Sequence, residues 1–190
     1  MDQQRRIVLI SGPPASGKSS IARPLARALG FALLAKDDIK ESLFTSMDGA
    51  PGDVAFSRRL SDAAMHLLWA LAPQCPQVVL EANFRTQSAQ QRDQVAALIA
   101  LPGARLVEVF CRVPLEEAAR RFAERARLER RHPAHALREM SVEQLAAYAQ
   151  PFALSPVIDV DTSKPIDAVA LMARVRAALQ AEPASLARGR

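Results

Sequence analysis

Aromatic residues make up only 5% of this 190-residue chain: one Trp, one Tyr and seven Phe, most of them inside apolar runs. A chain so poor in stacking platforms is ill suited to single-stranded nucleic acid, which is held largely by bases lying on aromatic rings. Cysteine is scarcer still. Cys75 and Cys111 are too few for a disulfide framework or a metal cluster, and each lies beside an apolar segment where a reduced, packed thiol is expected. No apolar stretch reaches the roughly 20 residues that a spanning helix needs, and the opening Met1-Asp2-Gln3-Gln4-Arg5-Arg6 carries no apolar signal region. A cytoplasmic protein without membrane contact is the expectation. Of three histidines, His132 and His135 flank Pro133 in a turn with no third ligand nearby, so a metal site is not expected there, and His66, among apolar residues, is expected to pack.

A net charge of +5 raises the question of a polyanionic partner, which requires positive charge gathered on one surface. Arginine does outnumber glutamate between Arg112 and Arg138, a cluster that suits a nucleoside triphosphate as well as an RNA backbone, while Arg188 and Arg190 decorate the tail. Hydrophobic content of 49% is ample for one globular domain over residues 1–190. Such a chain buries roughly 70% of the surface its unfolded form exposes. A monomer or homodimer is expected.

Apolar, β-rich runs recur at Ile7 to Ile10, Phe31 to Ala35, Val78 to Leu80, Leu106 to Phe110 and Val157 to Val160. Between and around them the pattern predicts helices over Lys18 to Leu29, with Pro24 inside it, Ile39 to Phe44, Asp53 to Ala72, Ser88 to Leu101, Pro114 to Arg130, Val142 to Ala149 and Ile166 to Gln180. Alternating strands and helices, with strands that are apolar throughout, argue for an α/β fold: a five-stranded parallel sheet covered on both faces. Two connections are long. The segment from about 38 to 76 is expected to cover an acceptor substrate, and the arginine-bearing segment from about 114 to 140 to act as a lid.

The first run leads directly into Gly12-Pro13-Pro14-Ala15-Ser16-Gly17-Lys18-Ser19, followed by Ser20. This fits G-x-x-x-x-G-K-[ST] in full and sits between a strand and a helix, the context in which that pattern cradles phosphates. The two glycines allow the backbone to turn with its amides facing inward, toward a polyphosphate at a helix N-terminus. Lys18 is then expected on the terminal phosphates and Ser19 on a magnesium ion.

In an open parallel sheet ligands lie at the carboxyl ends of the strands, and those ends carry chemistry here. After the second strand come Asp37 and Asp38, of which Asp37, directly off the strand, is expected as the general base and Asp38 as the cap of a short helix. The third strand ends in Glu81, placed to orient the water shell of magnesium, with Asn83 and Arg85 following toward the acceptor. Arg121 and Arg125 lie four apart on a predicted helix flanked by Arg120 and Arg127, so they share a face that can close on phosphates, unless Glu117, Glu124 and Glu129 absorb them in ion pairs. After the fifth strand, Thr162 and Ser163 belong to a loop that can pass over an adenine ring.

These segments together resemble the P-loop kinases often labelled AAA-type ATP-binding proteins, a group that includes polynucleotide kinase, chloramphenicol phosphotransferase and gluconate kinase. The likeness rests on GPPASGKSS, KDDIKESLF, LEANFR, CRVPLEEAARRFAERA, RHPAH and DVDTSKP, and covers roughly Arg6 to Pro165. It implies strand order 2-3-1-4-5, Asp37 as base toward an acceptor hydroxyl and a lid cation in the region of Arg121 and Arg125. Glu81 stands where polynucleotide kinase has an aspartate, and Lys40 where it has an acceptor-binding arginine. The expectation is an ATP- and Mg²⁺-dependent phosphotransferase acting on a small-molecule hydroxyl. Its alternatives are a polynucleotide 5′-hydroxyl kinase and a regulatory ATPase with no acceptor.

Overall fold

A computed structural model of the protein describes residues 4–128 and 131–181. Glu129 and Arg130, expected at the end of the lid helix, lie outside the described residues, as do Arg188 and Arg190.

The central strand β1 (Arg5–Ser11) is buried from Ile7 onward, because it has a strand on each side and helices over both faces. Its alternating side chains feed two cores. Val8 and Ile10 pack with Ile21 and Leu25 of α1 (Lys18–Leu29) and with Leu171 and Val175 of α7 (Ala168–Gln180). Ile7 and Leu9 pack on the other face with Leu68 and Trp69 of α3 (Val54–Leu71) and with Val95 and Leu98 of α4 (Ala89–Ile99). Burying each such side chain contributes about 1.5–3 kcal/mol, so the two cores rather than any surface pair fix the register of this strand.

Around β1 the sheet is parallel throughout and ordered β2-β3-β1-β4-β5, with β2 at Ala32–Ala35, β3 at Gln77–Glu81, β4 at Ala104–Arg112 and β5 at Val157–Asp161. All five strands and the order match expectation. All strand carboxyl ends therefore point the same way, and β1, β2 and β3 deliver Ser11, Ala35 and Glu81 to one rim.

Five expectations are corrected. The helix after β2, α2, spans Lys36–Ser46 rather than starting at Ile39, so Asp37 and Asp38 lie in its first turn, where the helix dipole favours carboxylates. Asp38 is not its cap: Ala35 holds that position without a side-chain bond, and Asp38 pairs with Arg23 of α1 at 2.6 Å. The arginine-bearing helix, α5, spans Leu115–Ala126 and stops there, with Arg127 as its C-cap, and α6 spans only Val142–Ala146. His66 is exposed, because Leu60, Ala64 and Leu68, spaced four apart, already define the buried face of α3.

Candidate active site

The turn between β1 and α1 is built from backbone that ordinary residues resist. Gly12 has φ 132°, and a Cβ there would come 2.5 Å from the carbonyl oxygen of Cys111 on β4, so only glycine fits. Gly17 sits at φ 81°, and Ala15 between them at φ 62° holds left-handed backbone at some cost in strain. Ser16 Nα donates to Pro13 O at 3.1 Å, and the Ser16 hydroxyl, fully buried, has no hydrogen-bond partner among the described residues. Pro13 and Pro14 are buried with it, while Ser20 is exposed on the first turn of α1. Lys18 Nζ donates to Gly12 O at 3.0 Å and Pro13 O at 2.6 Å, which leaves one of its three donors for an incoming oxygen. Burial lowers the Lys18 pKa, opposed by the negative charge of Glu81 and Asp37.

Over this turn lies a cleft of about 340 Å³, lined among others by Ser19, Asp37, Glu81 and Arg125. Four residues of separate elements, each expected at the site, thus face one space. Ser19 Oγ donates to Glu81 Oε2 at 3.4 Å. Burial raises the Glu81 pKa, resisted chiefly by Lys18. Burial also pushes the Asp37 carboxyl up, yet the Lys36 ammonium at 3.3 Å, then His135 and Lys18, overcome that and hold it at about 2. Arg125 faces Lys18 closely enough for their charges to repel, and among the described residues it has no ion-pair partner. A polyanion brought between the two cations relieves that repulsion.

The oxygen pair Ser19 and Glu81 fits a hard cation such as magnesium, which keeps several waters and takes few protein ligands. Consistent with so sparse a donor set, no group of three or more His, Cys, Asp or Glu capable of caging a metal occurs among the described residues.

Other expected residues stand elsewhere. Lys40 is buried beneath the cleft wall, where its Nζ donates to Ser57 Oγ at 2.8 Å. Arg121 is taken up by Glu117 at 2.7 Å and by Thr162 O at 3.2 Å, so it ties α5 to the exit of β5. Thr162 gives its hydroxyl and its backbone N–H to Arg112 O, and Ser163 bonds back to Asp161; neither side chain lines the cleft. Asn83 is half-buried, and Arg85 is exposed with Nε 3.4 Å from the Tyr148 hydroxyl; both lie off the cleft wall.

Conversely, Lys36, Glu41, Arg131, His132 and His135 belong to the site or its immediate support and were not singled out as such by the sequence. Glu41 carried a local signal, since it follows Asp37 by four and so shares its face of α2. The His132–His135 turn carried only its place in the family resemblance, as RHPAH, because it reaches α2 through tertiary packing. Cys111, below the turn, is buried with its thiol pushed up to about 12 by that burial, which makes it inert.

The family described as AAA domain matches residues 7–151. No curated protein matches the sequence. A candidate kinase from Chloroflexus aurantiacus j-10-fl superposes with TM-score 0.80 over 93% of this chain and 100% of that one, at 25% identity. A gluconokinase from Sinorhizobium meliloti 1021 gives TM-score 0.53 at 18% identity, covering 94% of this chain and 92% of that one. The APS kinase of Mycobacterium tuberculosis, solved with AMPPNP and APS, gives 0.54 at 20% identity, covering 94% and 99%. The fold is that of P-loop kinases.

Proposed function

The chain belongs to the AAA domain family, and from that membership we propose that it is an ATP- and magnesium-dependent phosphotransferase, moving the γ-phosphoryl group of ATP to a hydroxyl of a small molecule. The observation that carries the reading is the convergence of Ser19, Asp37, Glu81 and Arg125 on one cleft above the turn that holds Lys18. The similarity to small-molecule kinases supports it.

In this reading Gly12 to Ser20 hold the triphosphate through inward-facing amides, with the free Ser16 hydroxyl and the remaining donor of Lys18 taking phosphate oxygens. Ser19 and Glu81 would hold magnesium with its waters, and the ion would supply positive charge against the phosphates. The acceptor oxygen forms a bond to the γ-phosphorus as the bond to the bridging oxygen breaks and ADP departs. The hydroxyl proton passes to Asp37. A carboxylate with a pKa of about 2 is a weak base, so it takes that proton late, as suits a loose transition state in which the nucleophile is barely bonded. Arg125 stabilises the charge spread over the transferring group.

Two variants separate binding from chemistry. Lys18→Ala is expected to weaken Mg-ATP binding in calorimetry, and tight binding by it would overturn the phosphate-loop assignment. Asp37→Asn is expected to bind ATP normally while slowing transfer by roughly 10² to 10⁴. Undiminished transfer would remove Asp37 from the role of base.

A further inference from the structure

We propose that His135, oriented by Glu41, is a second acceptor-binding group beside Asp37, so that the acceptor is a small molecule bearing at least two hydroxyls, one for each. This rests on the kinase reading and narrows its substrate class. His135 Nε2 lies 2.8 Å from Glu41 Oε1. A carboxylate oxygen only accepts, so Nε2 donates, and in the neutral ring this leaves Nδ1 as an acceptor. No hydrogen bond from the described residues reaches that nitrogen. Burial lowers the His135 pKa against the pull of Asp37 and Glu41, with Lys40 adding to the lowering, so the ring is neutral at neutral pH.

Asp37, Glu41 and His135 line the same cleft, the two carboxylates one helical turn apart on α2. The Lys36 ammonium, 3.3 Å from Asp37, stands beside these acceptors. A hydroxyl can donate to the Asp37 carboxylate and to His135 Nδ1, whereas a phosphate or carboxylate oxygen has no proton to give them. Of the positively charged groups that line the cleft, Arg23 is paired with Asp38 at 2.6 Å, Arg131 donates from Nη1 to Leu137 O, and Arg125 lies on α5.

The ring is also held in place. Lys40 Nζ donates to Ser57 Oγ, and Ser57 Oγ donates to Ala134 O at 2.6 Å, the residue before His135. Ala134 Nα donates to His132 Nδ1 at 3.2 Å, and the His132 ring meets Phe44 of α2 edge-on at 5.7 Å between centroids. Ala134 is fully buried against Phe44 and Leu60. His135 is therefore carried by α2 and α3, while Arg138 Nη1, donating to Ala126 O at 2.7 Å, also ties its loop to α5. Lys40, rather than touching the acceptor, secures the turn that does.

The test uses the full-length protein, Mg-ATP with a labelled γ-phosphate, and a fixed set of acceptors: glycerol, erythritol and D-gluconate against 1-propanol. Transfer to at least one polyhydroxylated compound and at least tenfold less to 1-propanol is expected. His135→Ala should raise the KM for the best of them by about tenfold with kcat changed less than threefold, the loss expected for one ground-state hydrogen bond. His135→Asn, which keeps an acceptor oxygen, should recover part of that loss. Mg-ATP affinity of His135→Ala, read by calorimetry, should equal that of the unaltered protein, which also shows the variant to be folded. Normal ATP binding with an unchanged KM in His135→Ala, equal use of 1-propanol, or no transfer to any polyhydroxylated compound overturns the inference and leaves the kinase reading standing. Failure of the unaltered protein to bind Mg-ATP overturns both.

Discussion

Gly12 shows how much of the site is decided by single atoms. Its φ of 132° and the Cys111 carbonyl 2.5 Å from where a Cβ would sit leave no space for a side chain, and strain of this kind costs about 1–3 kcal/mol. Gly12→Ala is accordingly expected to lower the thermal midpoint and to weaken Mg-ATP binding, because relieving the clash pushes the phosphate loop out of shape; a variant with both unaltered would show the loop to be more pliant. Asp37 gives a test in pH. Its folded pKa lies at about 2, below the ordinary 3.8, so its ionised form favours the folded state. That contribution is complete above the ordinary value and drains away as pH falls toward about 2. The loss of stability across that window should be shallower in Asp37→Asn, as read by denaturant midpoints at successive pH values. The residues of the phosphate loop were legible because their spacing is local. The approach of His135 was not, since nothing in a linear chain announces that a His turn near residue 135 will settle on a helix begun at residue 36.

At the scale of elements, the connection between α2, α3 and the His132–His135 turn carries the wall of the cleft proposed to face the acceptor. The buried chain from Lys40 through Ser57 to the Ala134 carbonyl satisfies three polar groups at once. Ser57→Ala strands an ammonium and a carbonyl, each costing about 1–3 kcal/mol when buried unpaired. A stability loss in that range is expected from urea unfolding, and a loss below 0.5 kcal/mol, the ordinary scatter of a surface substitution, would mean the turn is held otherwise. Helix α1 could be read to its exact ends, Gly17 and Gly30 bounding it, and Pro24 did not stop it. The start of α2 was misjudged because Lys-Asp-Asp reads as loop and cap, while the fold runs straight from β2 into helix and uses the acids in the first turn. The end of α5 was misjudged because charge periodicity continues beyond Ala126, although its last buried contact is Ala126 itself.

For the whole molecule, alternation of apolar runs with helical segments sufficed to predict a parallel sheet, and the strand order came from the family resemblance. Periodicity alone does not rank the strands. The arginine cluster also resolves at this scale: Arg120 is engaged by Glu117 at 2.7 Å and Glu124 at 2.6 Å, and Arg121 by Glu117, so these guanidinium groups are neutralised within α5 while Arg125 faces the cleft. Glu108 joins three segments that are far apart in sequence. Buried in β4, it accepts from the Ser11 hydroxyl at 2.5 Å and from the backbone N–H groups of Phe152 and Ala153 at 3.1 Å each. It thereby ties the strand that opens the phosphate loop to the segment before β5. Glu108→Ala leaves two buried donors, the Ser11 hydroxyl and the Phe152 N–H, unpaired and is expected to destabilise the protein by at least about 2 kcal/mol in denaturant unfolding; an unshifted midpoint would deny it that role.

The central claim is that the turn from Gly12 to Ser19 grasps the phosphates of ATP. Isothermal calorimetry of the full-length protein with Mg-ATP tests it most directly. The account predicts one saturable site, abolished or strongly weakened by Lys18→Ala. A titration with neither heat nor saturation, or a Lys18→Ala protein that binds as tightly as the original, would contradict it.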